Sequence, residues 1–182
     1  SAGAQRVTNA LQALYTFDAG QGNQVLDRSG TGRPLNLAIE KPSAVRWQTG
    51  ALLIRAATRI SSPGPATKLI DALKRSRAVT LEAWVRPAND RQEGPARIVT
   101  ISSSPNLRNI TLGQEFRQYD VRLRTSSTTN NGMPSTSTRP GTAGGSLAHV
   151  VYPRDPSGTG RIYVDGKPAA SKRIAGHLSN WD

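Results

Sequence analysis

The most regular hydrophobic pattern lies in Val79-Thr-Leu-Glu-Ala-Trp-Val-Arg86. There Val79, Leu81, Ala83 and Val85 alternate with Thr80, Glu82, Trp84 and Arg86, until Pro87 ends the run. Alternation at period two marks a strand with one buried face, and proline lacks the N–H that the next ladder bond needs. This run predicts a central strand, with Trp84 on the side away from the core and covered there by a loop or by a helix. Leu35, Leu37 and Ile39 alternate in the same way with Asn36 and Ala38. Shorter pieces predict strands over Gln24–Asp27, Val45–Trp47, Ala51–Ile54, Arg97–Ser102, Leu107–Gly113, Glu115–Arg124 and Leu147–Tyr152. Arg161–Lys167 predicts a hairpin arm, because Asp165 and Gly166 form a two-residue turn that matches strand twist. Leu11–Phe17 also predicts a strand, with Leu11, Ala13, Tyr15 and Phe17 on one face and Leu14 on the other.

One segment has helical spacing. Leu69, Ile70 and Leu73 fall on one side of Pro65–Lys74, and basic residues close its C-terminal end, where they complement the helix dipole. Such a helix would lie across the edge of a sandwich. Thr125–Gly145 is rich in Ser, Thr, Gly and Pro and predicts a long polar connection. About ten short strands punctuated by turns predict an all-β fold, a two-sheet sandwich or a barrel. Neither a repeat nor a linker interrupts them, so one domain is expected over 11–182, behind a tail at 1–10.

Charge changes the picture more than composition does. The 182 residues carry 24 basic and 12 acidic side chains, a formal net charge of +12, and 19 of the 24 are arginine. The excess is spread along the chain, and only Lys74-Arg75-x-Arg77 and Lys172-Arg173 cluster. A spread charge of this kind argues against nucleic acid and points to docking on an acidic partner or face. There is no cysteine, which excludes disulfides, thiolate metal sites and thiol catalysis. No apolar run reaches the length of a membrane-spanning helix. The small, polar start Ser1–Gln5 looks as a chain does after signal cleavage, and would look much the same after removal of a tag.

Five phrases in order carry a resemblance: Leu14-Tyr-Thr-Phe-Asp18, Val25-Leu-Asp-Arg-Ser-Gly30, Val79–Pro87, His149-Val-Val-Tyr152 and Arg161–Lys167. Together they resemble the bacterial laminin G-like domains of the concanavalin A-like lectin/glucanase superfamily, from about Leu11 to Asp182. The resemblance implies an antiparallel jelly-roll sandwich, a periplasmic or secreted location, and binding of a glycan or an acidic protein surface. An accessory subunit of a larger membrane or cell-surface assembly is the alternative within that class. Leu53-Ile-Arg-Ala-Ala57 stands where relatives often carry an apolar–Asp-Gly–aromatic turn. The family pattern also continues past Trp181 into two further strands, one closing the sheet beside 11–17. The expectation is therefore that missing C-terminal strands, or a strand from a partner, sit beside 11–17.

Glycan hydrolases or lyases of the superfamily are the rival class. Its glycosidases set two carboxylates on one strand, close enough for double displacement. Here Glu40 and Glu82 have no acidic neighbour within five residues, Asp90 and Glu93 share a loop, and Glu115 and Asp120 have opposite parity. No catalytic residue is expected. Asp18, Asp27 and Asp165 sit in Gly- or Ser-containing turns and are the candidates for calcium, which this fold often holds; each could equally shape its own turn. On 117–124 the residues Tyr119, Val121 and Leu123 share one face and Gln118, Asp120, Arg122 and Arg124 the other. That polar row, with Asn130 and Asn131 in the adjoining loop, is the candidate ligand site, with Arg122 and Arg124 placed to clamp a carboxylate or sulfate. His149 reads as a strand histidine bonded to a neighbour, His177 as exposed, and Trp181 as the tryptophan free to stack on a sugar.

Overall fold

The computed structural model describes residues 7–182. The chain divides into two compact units, the first running to Ala72 and the second Leu73–Asp182. Residues 1–6 of the expected tail lie outside the described residues, and 7–10 are exposed.

In the first unit β1 (Gln24–Val25), β2 (Leu37–Ile39) and a later two-residue strand form a small antiparallel sheet. Between them come the hairpin strands β3 (Val45–Gln48) and β4 (Ala51–Ile54), and the later strand is β5 (Ile60–Ser61). Trp47 pairs with Leu52 across that hairpin and donates its indole N–H to Gly22 O at 2.9 Å. Helix α1 (Thr67–Ser76) starts two residues later than the expected helix and ends two later, with Lys74 and Arg75 in its last turn.

The expected strand Leu11–Phe17 is not one. These residues are half-buried and irregular, and Phe17 sits at φ 53°, in the left-handed region that stops an extended run. Single bonds to one loop replace a ladder. Arg28 N–H donates to Leu14 O at 2.7 Å, Thr31 Oγ1 to Leu11 O at 2.8 Å, and the Tyr15 hydroxyl to Leu35 O at 2.7 Å. Burial, and then the charge of Asp27, push the Tyr15 phenol well above its ordinary pKa. Among the described residues no strand pairs with 11–17.

The second unit is a two-layer antiparallel structure. Its strands are β6 (Val79–Val85), β7 (Ala96–Ser102), β8 (Arg108–Glu115), β9 (Gln118–Leu123), β10 (Thr136–Ser137), β11 (Ala148–Arg154), β12 (Thr159–Val164) and β13 (Lys167–Arg173). One sheet has the order β10-β9-β8-β7 and the other β13-β12-β11-β6, so β6 ends its sheet where a central strand was expected. The sheets meet where β10 touches β12 and β13 and where β6 touches β7. Ile110, Leu112, Tyr119, Val121 and Leu123 from one layer, and Val150, Tyr152 and Ile162 from the other, are at most 2% exposed. Each such aliphatic side chain contributes about 1.5–3 kcal/mol by leaving water. Gly160 makes room in this core: a Cβ there would overlap the Tyr152 ring. Two boundaries differ from the sequence pattern. The expected strand 115–124 contains the turn Phe116–Arg117, with Phe116 at φ 50°, and the polar tract 125–145 contributes buried Thr136, Thr138 and Ala143.

Candidate binding face

The polar row of β9 is not an open surface. Asp120 is 5% exposed and Arg124 4%. Asp120 accepts from Ser137 Oγ at 2.6 Å and from Arg122 Nε at 3.4 Å, and the Gln118 amide donates to Thr138 O at 2.7 Å. Arg124 is tied down most firmly. Its Nη2 donates to Asn109 Oδ1 at 2.7 Å, to Asn180 O at 2.5 Å and to Asp182 Oδ1 at 2.5 Å. Its carbonyl takes the Trp181 indole N–H at 2.7 Å. Trp181, expected to be free for a sugar, is 2% exposed. Of the predicted row only Arg122 and Gln118 are less than fully buried, both half-buried, with Asn130 exposed and Asn131 half-buried in the loop. Arg124 is buried with its Nη2 committed to three acceptors of the chain, so it presents no open fork to a ligand anion, although its buried Nε has no partner among the described residues.

The three candidate calcium aspartates are engaged separately. Asp18 is exposed and pairs with Arg28 at 3.4 Å. Asp165 sits at φ 50° in the β12–β13 turn and accepts the His149 N–H at 2.9 Å, which ties that turn to β11. Asp27 has a fully buried side chain that accepts four donors: the N–H groups of Leu14, Ser29 and Leu35 at 3.1, 2.9 and 3.0 Å, and Lys68 Nζ at 2.6 Å. Lys68 also donates to Thr31 O at 2.9 Å. Burial alone would raise the Asp27 pKa, but the Leu35 N–H, the Lys68 ammonium and Ser29 hold it well below the ordinary carboxylate range. An ammonium thus occupies the position beside Asp27 and Thr31 O that a cation would need. Among the described residues no three His, Cys, Asp or Glu side chains converge as a metal set.

The open face lies on the other sheet, on the outward side of β6, β11 and β12. Trp84, expected to be covered, is 65% exposed. It stands opposite His149 in the β6–β11 register, and the two rings stack with centroids 4.6 Å apart and planes 15° from parallel. His149 Nε2 lies 2.9 Å from Glu82 Oε1, a diagonal cross-strand pair that holds the imidazole against the indole. The next row runs Glu82, Val151 and Tyr163 across three strands. Beyond Tyr163 the surface dips into a hollow of about 400 Å³ lined by Arg161, Tyr163, Pro168, Ala169, Ala170 and Ser171. By strand spacing alone, Trp84 and Tyr163 are roughly 12 Å apart at their Cα atoms, about two lateral steps and one pleat. The alternation of β6 already placed Trp84 outward; the assumption that so large a ring needs a cover is what hid it.

A two-layer antiparallel sandwich is the architecture of the concanavalin A-like class. The chain belongs to the laminin G-like family of the concanavalin A-like lectin/glucanases superfamily, whose family model matches residues 61–182. The match begins well after the 11 that the resemblance suggested. No curated protein and no solved structure matches the chain.

Proposed function

We propose that this chain is a non-enzymatic, extracytoplasmic glycan-binding module, and that the sugar lies on the outward face of β6, β11 and β12. The observation that carries the reading is the exposed Trp84 ring, stacked against His149 on the neighbouring strand. A planar aromatic presented to water stacks on the C–H face of a sugar, and rigid support lowers the ordering cost of binding. Tyr163 and its hollow offer a second position about two sugar units away. The outward positions of these strands carry one carboxylate, Glu82, already bonded to His149, whereas displacement at a glycosidic bond needs two. Affinity measured against a panel of soluble and insoluble glycans, with product analysis, tests the reading. Retention on at least one glycan, lost in Trp84→Ala and without cleavage products, is the expected result. Release of shorter sugars by the wild-type chain would replace it with the hydrolase reading.

A further inference from the structure

On the far side of the β12–β13 ribbon lies a second hollow of about 410 Å³, lined by Arg139, Thr142, Val164, Lys167, Pro168 and Ala169. Both hollows flank Pro168 and Ala169 and owe their shape to one irregularity. Tyr163 pairs with Pro168 and Ile162 with Ala170, so Ala169 is an extra residue, a bulge that bends the edge strand away from its neighbour. The walls are fixed by backbone bonds. Gly141 and Ala143 N–H donate to Arg117 O at 3.0 and 2.9 Å, and Thr142 Oγ1 donates to Arg139 O at 2.7 Å. On the opposite side the turn at Asp165 and Gly166 is pinned to the two backbone groups of His149, by Asp165 Oδ1 and by the Asp165 N–H, each at 2.9 Å.

Arg139 and Lys167 are exposed, and among the described residues neither joins an ion pair, unlike Arg161, which reaches Asp155 at 3.4 Å. Two cations of different reach therefore line one concave space. The space, about 410 Å³, is an open hollow, suited to one group of an extended chain and not to an enclosed small molecule.

We propose that this hollow binds the anionic group of an acidic polysaccharide, a carboxylate or sulfate held between Arg139 and Lys167. The same polymer chain passes over Pro168 and Ala169 onto the Tyr163 and Trp84 face. The anion site stands on its own geometry; the identity of its ligand as a sugar rests on the glycan-binding reading above. The guanidinium offers paired donors to an oxyanion and the ammonium a point charge, a combination that accepts either anion.

Titration calorimetry at low and at physiological salt tests this with two matched pairs: oligogalacturonate against its methyl ester, and dextran sulfate against dextran. At least one acidic probe should bind more tightly than its neutral match. Arg139→Ala with Lys167→Ala should abolish that preference, by about tenfold or more, and leave neutral binding unchanged. Arg46→Ala with Arg55→Ala removes the same charge elsewhere and should change little. Which pair shows the preference separates uronate from sulfate. Equal loss in the two double variants would reduce the effect to net charge and overturn the proposal, as would equal affinity for acidic and neutral probes. Loss of all binding in Trp84→Ala alongside equal affinities would keep the sugar face and remove the anion site. Acidic binding that needs Arg139 and Lys167 but ignores Trp84 would do the reverse.

Discussion

Two faces of the second unit start from the same alternating pattern and end in opposite conditions. On β9 the polar positions Gln118, Asp120, Arg122 and Arg124 turn to one another, to Ser137 and Thr138, and to residues 180–182. On β6 the outward positions Thr80, Glu82 and Trp84 stay exposed, and the one ordered interaction, the Glu82–His149–Trp84 stack, presents a ring to water. The lesson concerns partners more than residue types. A row of charged groups looks like a recognition surface until its donors are counted, and an isolated tryptophan looks like core until its cover is sought and not found.

The largest effect should come from the closed face. Arg124→Ala leaves Asn109 Oδ1 and the Asn180 carbonyl without their donor, while Asp182, 64% exposed, is left to water, so the cost is about 2–3 kcal/mol, the scale of buried hydrogen bonds to a charged group. Urea denaturation should show this; a change under about 1 kcal/mol would mean that the face is solvated after all.

Asp27 gives the intermediate case, since it too is occupied by the chain itself. Lys68→Ala should cost roughly 2 kcal/mol, because three N–H donors remain on the carboxylate. Its pH dependence has a definite sign. The folded-state pKa of Asp27 is depressed, so its stabilisation is present above its ordinary value of 3.8 and is lost as pH falls below that value toward the folded one. Removal of Lys68 lets the folded pKa rise, and the acid-side slope of stability should be shallower in the variant. Parallel slopes in acid titrations followed by circular dichroism would show that Lys68 does not set that pKa.

The smallest effect on stability belongs to the open face. Trp84→Ala should cost about 1 kcal/mol or less, the scale of one aromatic pair on a surface, while abolishing retention on glycans. A loss of about 3–5 kcal/mol, the usual range for a buried aromatic, would place the ring in a core and dissolve the contrast between the faces. Arg122→Ala should leave glycan retention unchanged, which affinity electrophoresis checks.

The β architecture was legible because period-two alternation responds to burial on one side, which β6 and β11 have. The helix and the Asp165–Gly166 hairpin were legible because their signals are local. Leu11–Phe17 misled because an apolar stretch reports burial but not the ladder partner, and here single bonds to 27–35 satisfy it. The candidate row on β9 misled for a related reason: its side chains were read correctly for parity, but their partners at 137–138 and 180–182 are distant in sequence. Trp84 was placed on the correct side and given the wrong surroundings. The hollow at Arg139 and Lys167 depends on a one-residue bulge opposite Ile162 and Tyr163, and no local signal announces it.

The Lys68 ammonium against Asp27 also bears on how the first unit responds to its surroundings. A dissociable ion stabilises a fold by mass action, with a benefit that rises with its free concentration and vanishes when it is sequestered. A counter-ion attached to the backbone has no such dependence: dilution, dialysis and chelators leave the Asp27 pair as it is. What removes it is chemistry on the lysine itself, because acetylation of Nζ would strip the charge and leave a buried carboxylate facing an amide.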